Sequence, residues 1–170
     1  MKFNIYTQVM GIFGKAQVGK SYFIKNFFKG IDYIVINGSM DFEDYKGTHF
    51  IVTNISNQGL DEAIIKIRAM YSNKLIIIDD VDAFNPLYSQ QIGILARTGR
   101  HQGLGLVYAS GRPALLPPVL LSGTDVFVNF MGVPAMDWEN LAEKLGMKQN
   151  PFMTINAPYK YQIVNKSDYI

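Results

Sequence analysis

The sequence contains no cysteine, which excludes both a disulfide framework and a metal site built on thiolates. Only two histidines are present, His49 and His101, and their separation does not match the spacing of metal ligands. We therefore expect no metal other than one that a bound cofactor brings with it.

Long apolar runs are also missing. Residues 1–13 are interrupted by Asn4, Thr7 and Gln8 and have no cleavage pattern, so they are interpreted as a strand and not as a signal peptide. The apolar residues 115–121 include two prolines and are far too few to cross a bilayer. The sequence therefore predicts a soluble, intracellular protein without a transmembrane segment.

The charge balance is nearly neutral. A net charge of +2 does not by itself indicate binding to a nucleic acid. Apolar residues make up 48% of the 170 positions, which is enough for one sizeable core. The length fits one domain that covers residues 1–170.

Short apolar strands alternate with amphipathic helices along the chain, as is typical of an α/β fold. The run of apolar residues at 75–78 has the composition of a strand buried on both faces of a parallel sheet. Leu60, Ile64 and Ile67 repeat with helical spacing. We predict a central, mostly parallel sheet flanked by helices, with strands at residues 9–13, 33–36, 49–53, 75–78, 103–109 and 126–130.

Punctuating residues predict where the later elements begin and end. Asn85 followed by Pro86 predicts the start of a helix that Gly99 closes, and Asp137 predicts the cap of the last helix. In the tail, residues 152–155 and 161–164 are compatible with a terminal β-hairpin around Pro158.

The most informative motif lies at residues 14–21, which read Gly-Lys-Ala-Gln-Val-Gly-Lys-Ser after an apolar strand. This is a complete phosphate-binding loop, or P-loop, in which glycines let successive N–H groups turn toward phosphate oxygens. Lys20 is expected to reach the β- and γ-phosphates, and Ser21 to ligate Mg²⁺. The residues predicted to bind ATP are Gly14, Lys15, Ala16, Gln17, Val18, Gly19, Lys20, Ser21 and Tyr22.

A second motif follows the apolar run, where Asp79 and Asp80 end a predicted strand. Ligands of open α/β sheets bind at the carboxyl ends of the strands. Asp79 is therefore expected to hold Mg²⁺ together with Ser21, and Asp80 to activate the attacking water as a general base. The alternative is that these acids only begin a solvated turn, together with Asp82.

Residues 95–113 and 118–130 carry a resemblance to a known family. Their order of arginine, strand and Arg112-Pro113 dipeptide resembles that of the FtsK/HerA superfamily of DNA-pumping ATPases, which has a RecA/HerA-like P-loop fold. The P-loop, residues 75–80 and the turn at residues 37–45 extend the resemblance over most of the chain. The small genome-packaging ATPases of membrane-containing viruses are the most similar members.

The resemblance implies roles for further residues. Arg100 matches the family's arginine finger, which acts on the nucleotide of a neighbouring subunit, and Arg97 on the preceding predicted helix is the alternative. Both arginines are otherwise read as solvated surface charges. Where the family has a glutamine that senses the γ-phosphate, this sequence has Gly111, and Ser110 is the hydroxyl that would take its place.

The resemblance also implies partners. It predicts a homo-oligomeric ring, with a hexamer as the expected size, that moves double-stranded DNA without reading its sequence. Lys46, Lys66, Arg68 and Lys74 are candidates for contacts to phosphates in the pore, or are merely solvated. A capsid or membrane vertex protein would anchor such a motor, in the host cytoplasm or on the virion.

Other classes of protein remain open at this stage. A nucleotide-binding assembly switch with weak hydrolysis, of the phage-assembly type, agrees with the loss of the sensor glutamine. A small-molecule kinase would need a basic lid segment after Asp80, and none is evident. A AAA-type ATPase would carry a helical lid domain after the core, which this sequence lacks.

Overall fold

A computed structural model describes residues 3–37, 48–52 and 54–170. Within this part of the chain, seven strands form one sheet in the order β3-β2-β4-β5-β1-β6-β7. Strands β1 to β6 pair in parallel, and β7 pairs antiparallel with β6. The predicted α/β fold is confirmed. The strands are β1 Val9–Phe13, β2 Tyr33–Asn37, β3 Thr48–Ile51, β4 Lys74–Ile78, β5 Leu104–Ser110, β6 Val126–Phe130 and β7 Tyr161–Asn165.

Five α-helices connect these strands in the described residues. They are α1 Lys20–Phe27, α2 Asn57–Met70, α3 Gln91–Thr98, α4 Pro118–Gly123 and α5 Ala135–Lys144. Short 3₁₀ helices complete the connections at Val81–Phe84, Pro86–Tyr88, Gly99–Gln102, Pro113–Leu115 and Lys166–Asp168. None of the helices in the described ranges is long and apolar enough to cross a membrane.

The core lies on both faces of the sheet, because successive side chains of a strand point to opposite sides. In β4, Leu75 and Ile77 belong to one apolar cluster, whereas Ile76 and Ile78 belong to the other. The first cluster includes the buried side of α1, and the second includes the buried sides of α2, α3 and α5. Burial on both faces explains why β4 is apolar at four consecutive positions.

The strand order places the two predicted motifs on one edge of the sheet. Strand β1 lies near the centre, between β5 and β6, and β4 lies on the other side of β5. Since these strands are parallel, the loop that follows β1 and the acids that follow β4 meet at the same carboxyl edge.

Two predicted boundaries differ from the structure. Pro86 begins a 3₁₀ helix, and α3 starts only at Gln91, where Asp61 accepts the backbone N–H. Asp137 lies inside the first turn of α5, and Pro134 is the residue at the cap position. The turn predicted at residues 37–45 falls outside the described residues except for Asn37.

The predicted terminal hairpin is wrong. Residues 152–155 form no strand, whereas residues 161–165 form β7, which pairs with β6 instead. Side chains bridge the two tail segments: Gln162 accepts a hydrogen bond from Met153 N and donates one to Pro151 O. Strand β7 pairs with β6 at five positions, which is a longer ladder than the four residues 152–155 would provide.

Candidate nucleotide site

The P-loop is fixed at the centre of the carboxyl edge. Gly14 N donates to Ser110 O over 3.2 Å, and Lys15 N donates to Met131 O over 3.1 Å. These acceptors follow or end the two strands that flank β1, so both neighbours hold the beginning of the loop. The rest of the loop then turns back toward α1.

The backbone of the loop has the conformation that an anion cradle requires. Gln17 and Gly19 have φ angles of 61° and 105°, both in the left-handed region. Such residues turn neighbouring N–H groups to one side of the chain. Helix α1 begins directly after Gly19, and the first N–H groups of a helix have no partner within it. The end of the loop is therefore a site for an anion such as phosphate.

Gly19 is also held by packing from a distant segment. A side chain on Gly19 would place its Cβ 2.8 Å from Cδ1 of Tyr159. Tyr159 N donates to Val18 O over 3.0 Å, and the Val18 side chain is buried. The loop is therefore supported by a residue that the sequence patterns did not connect with it.

Lys20 folds back over the loop. Its ammonium group donates to Gly14 O over 2.7 Å and to Lys15 O over 2.9 Å. An ammonium group has three protons, so this arrangement leaves one donor for a phosphate oxygen. Burial lowers the pKa of Lys20, and the nearby carboxylates of Asp79, Asp80 and Asp82 oppose that shift.

The acids after β4 lie at the same carboxyl edge of the sheet as this lysine. Asp79 is buried at the end of the strand, and Asp80 follows with a left-handed φ of 57°. The pKa of Asp80 is raised, first by partial burial of its carboxyl group and then by Asp82 and Asp79, while Lys20 lowers it. A carboxylate with a raised pKa accepts a proton from water more readily than an ordinary one.

Magnesium fits the donor set at this edge. In the described part of the chain, no three histidine, aspartate, glutamate or cysteine side chains gather into a site that could hold a metal alone. Mg²⁺ is commonly held by one or two carboxylates, waters and the phosphates of a nucleotide. Asp79 and the hydroxyl of Ser21 are the residues that would hold it with a bound nucleotide.

Asp82, which the sequence analysis treated only as part of a turn, makes two hydrogen bonds at this edge. Its two carboxylate oxygens accept hydrogen bonds from Ser110 Oγ over 2.7 Å and from Gly111 N over 2.6 Å. Asp82, in the 3₁₀ helix Val81–Phe84 that comes after β4, thereby holds the end of β5, the strand between the two motifs. The only sequence signal was a third acid close to Asp79 and Asp80.

The predicted sensor Ser110 is fully buried, and its hydroxyl is engaged within the chain. Besides donating to Asp82, Ser110 Oγ accepts a hydrogen bond from Arg112 N over 3.2 Å. Arg112 in turn donates through Nε and Nη2 to both carboxylate oxygens of Asp137, over 2.7 and 2.8 Å. A continuous set of polar contacts therefore runs from Asp82 to helix α5.

Arg97 and Arg100 lie at the opposite edge of the sheet. Both side chains are exposed, and Arg100 precedes β5, whereas the P-loop and Ser110 lie at the other end of that strand. The structure does not bring either arginine to the P-loop of its own chain. They border a groove of about 420 Å³, whose lining also includes Thr7, His101, Ser122, Asp125 and Lys166.

The four cations considered for DNA contacts differ in their surroundings. Lys66 is exposed on α2. Arg68 donates to Gln102 Oε1 over 3.2 Å, and Lys74 forms an ion pair with Asp32. Lys46 lies outside the described residues. Among the three described cations, Lys66 is thus the one that is exposed on a helix and makes no hydrogen bond or ion pair with other described residues.

Comparison with known proteins finds similarity at the level of structure. No family model and no curated protein sequence matches the chain. The fold is similar to that of B204, the DNA-packaging ATPase from Sulfolobus turreted icosahedral virus, with a TM-score of 0.74 at 18% identity. That match covers 99% of this chain and 96% of B204.

Two further structures extend this similarity. The genome-packaging NTPase B204 from Sulfolobus turreted icosahedral virus 2, solved in complex with ATP-gammaS, gives a TM-score of 0.76 at 16% identity over 96% of this chain and 94% of that one. EssC (ATPases 2 and 3) from Geobacillus thermodenitrificans gives 0.67 at 14% identity over 97% of this chain and 39% of EssC. The chain thus has the fold of the viral packaging ATPases and of EssC, which is the fold that its resemblance to the FtsK/HerA superfamily implied.

Proposed function

We propose that this chain is a P-loop ATPase over residues 1–170 that assembles into a ring and packages viral double-stranded DNA. One observation carries the proposal: a P-loop whose Lys20 ammonium group donates to Gly14 O lies at the same carboxyl edge of the sheet as the acids that follow β4. The likeness in fold to packaging ATPases supports the choice of this activity over others.

In this proposal each group has a role in hydrolysis. Asp80 accepts a proton from water as the water oxygen bonds to the γ-phosphorus, and the bond to the β–γ bridging oxygen breaks to release ADP and phosphate. Lys20 stabilises the negative charge on the phosphate oxygens. Ser21 and Asp79 would hold Mg²⁺, which would supply positive charge to the phosphates of the bound nucleotide.

Ser110 is given an indirect role in this proposal. Because its hydroxyl donates to Asp82, a direct bond from Ser110 to the γ-phosphate would first require that contact to break. We assign Ser110 and Asp82 together to positioning the end of β5 beside Asp79 and Asp80. If this pair moved, its hydrogen bonds would transmit the movement to Arg112 and, through Asp137, to α5.

A second function is favoured by the same region. Gly111 has no side chain, and its N–H is held by Asp82, so no polar side chain at this position senses the γ-phosphate. A protein that assembles when it binds ATP but hydrolyses it slowly would tolerate this loss. Ring formation without turnover would identify such an assembly switch.

The test is ATP hydrolysis by the purified protein with and without linear double-stranded DNA. We expect DNA to stimulate hydrolysis, and Lys20→Ala to lower the rate at least about 10²-fold, since it removes a cation that stabilises the transition state. Lys29→Ala, which removes an exposed lysine beyond the end of α1, is the matched control. Hydrolysis by a monomer that ignores DNA would contradict the motor and favour a phosphotransferase.

A further inference from the structure

A pocket walled by aromatic rings lies beside the P-loop. It has a volume of about 290 Å³, close to the lower limit for pockets that hold small ligands. We call its rings the aromatic wall, and they belong to Tyr22, Phe23, Phe27, Phe130, Tyr159 and Tyr161. Gly19 and Asn26 complete the lining, so within residues 3–37, 48–52 and 54–170 no charged side chain contributes to it.

The pocket is continuous with the phosphate site. Gly19, Tyr22 and Tyr159 line it, and the same three residues line the neighbouring cleft over Gln17, Lys20 and Ser21 of the P-loop. A ligand whose phosphates occupy the loop therefore meets the aromatic wall with the part that extends from them.

The aromatic wall has packed inner rings and two exposed outer rings. Phe23 is buried and contacts the rings of Phe27, Phe130 and Tyr161, with centroid distances of 5.2, 6.0 and 4.9 Å. By contrast, 70% of Tyr22 and 67% of Tyr159 are exposed. Clustered exposed aromatic rings over a packed support are typical of a binding surface.

The backbone of Tyr159 has an unusual conformation that two contacts with the P-loop hold in place. Its φ of 61° is in the left-handed region, which aromatic residues rarely adopt. The hydrogen bond from Tyr159 N to Val18 O and the contact of the ring with Gly19 hold that conformation. Strained backbone of this kind persists only where its surroundings fix it, as at ligand sites.

We propose that the aromatic wall binds the nucleobase of the nucleotide whose phosphates lie in the P-loop. This inference rests on the proposed function, because it requires a nucleoside triphosphate in the loop. A flat, uncharged, aromatic group matches a pocket without charged side chains, and it gains stabilisation by stacking on exposed rings. The amide of Asn26, which donates to Tyr22 O, supplies a polar group at the same surface.

The experiment compares the binding of ATP with that of tripolyphosphate, both with Mg²⁺, by isothermal titration calorimetry. Tripolyphosphate carries the phosphates without a base. The native protein is expected to bind ATP about tenfold more tightly than tripolyphosphate, and Tyr159→Ala to remove about that factor for ATP only. Tyr159→Phe, which keeps the ring, is expected to retain it.

Further variants guard against a change in the loop backbone. Tyr22→Ala removes a second exposed ring without touching the left-handed position, and we expect it to weaken ATP binding but not tripolyphosphate binding. Tyr6→Ala, 43% exposed before β1 at the opposite edge, is the control that leaves both affinities unchanged.

Each other outcome contradicts a specific claim. Equal affinity of the native protein for ATP and tripolyphosphate, or a parallel loss of both in Tyr159→Ala and Tyr22→Ala, would overturn the base site while leaving the P-loop in place. Binding of neither ligand to the native protein would overturn the proposed function and the base site together.

Discussion

The two edges of the sheet carry opposite kinds of chemistry. At the carboxyl edge, Lys20 lies close to the carboxylates of Asp79, Asp80 and Asp82. At the amino edge, exposed Arg97 and Arg100 border a groove with no P-loop residue in its lining. One edge thus carries the groups to which we assign phosphate binding and water activation, and the other carries exposed arginines away from the P-loop of the same chain.

The separation of the two edges limits what one chain can do. Strand β5 has seven residues, which corresponds to roughly 20 Å between its ends. Arg100 precedes this strand and Ser110 ends it, so Arg100 cannot reach the phosphate site of its own chain. An arginine finger at this position has to act on a second copy, which the proposed ring supplies.

The largest expected effect comes from Arg100→Ala. If Arg100 neutralises transition-state charge in a neighbouring subunit, its loss is expected to lower the rate of hydrolysis by about 10³- to 10⁵-fold. Mixing Arg100→Ala with Lys20→Ala should restore part of the activity, because some interfaces then join an intact P-loop to an intact arginine. The measurement is steady-state hydrolysis against the mixing ratio.

The same mixture distinguishes the two arginines. Arg97→Ala is the matched variant on the adjacent helix α3, and the residue that acts in trans is the one whose loss is rescued by Lys20→Ala. Absence of rescue for both variants would show that the amino edge takes no part in hydrolysis.

A smaller but still large effect is expected from Asp80→Asn. Removal of a general base lowers kcat by about 10²- to 10⁴-fold, while the affinity for ATP should remain close to that of the native protein. Single-turnover hydrolysis and calorimetric binding separate the two quantities. Loss of binding together with hydrolysis would make Asp80 a binding residue and not the base.

The raised pKa of Asp80 adds a pH dependence to this prediction. The base works only when ionised, so kcat of the native protein should begin to fall, as pH decreases, at a higher pH than an ordinary aspartate would give. The sign for stability is opposite: the folded state holds this proton more tightly than the unfolded chain, so ionisation disfavours folding as pH rises through the raised pKa. Asp80→Asn is therefore expected to raise the free energy of unfolding at neutral pH.

The smallest expected effect is on the free energy of unfolding, through hydrogen bonds at the carboxyl edge. Asp82→Ala leaves Ser110 Oγ and Gly111 N without their acceptor, which should lower the free energy of unfolding by about 1–3 kcal/mol. Ser110→Ala removes one of these bonds and should cost about 1 kcal/mol. Urea denaturation measures both, with Glu139→Ala on the exposed side of α5 as control. A control-like value for Asp82→Ala would show that this contact does not hold the edge together.

The features that could be predicted from the sequence were local ones. The P-loop and the strand before Asp79 are contiguous segments whose composition follows directly from their conformation or burial. The strand pattern predicted the sheet because a strand that is covered on both faces needs apolar residues at consecutive positions, as at residues 75–78. These signals do not depend on knowledge of distant partners.

The features that were missed depend on contacts between distant segments. No residue near Asp82 in the sequence indicates that its carboxylate accepts hydrogen bonds from Ser110 and Gly111. Asp137 was predicted to cap a helix, but its carboxylate accepts hydrogen bonds from Arg112. Phe152 was assigned to a strand, but its ring stacks on Trp138 with a centroid distance of 4.1 Å. Only the packed structure decides such choices.

The hydrogen bond between Tyr159 and Val18 bears on how the protein is made. The P-loop is encoded near the start of the sequence, yet one of its carbonyl groups and the face of Gly19 are covered by a residue close to the other end. Strand β1 likewise pairs only with β5 and β6, which are synthesised much later. Contacts of such long sequence separation form slowly. A ribosome that has translated the P-loop has therefore not yet produced a finished loop, and nascent chains should gain it only after most of the sequence has emerged.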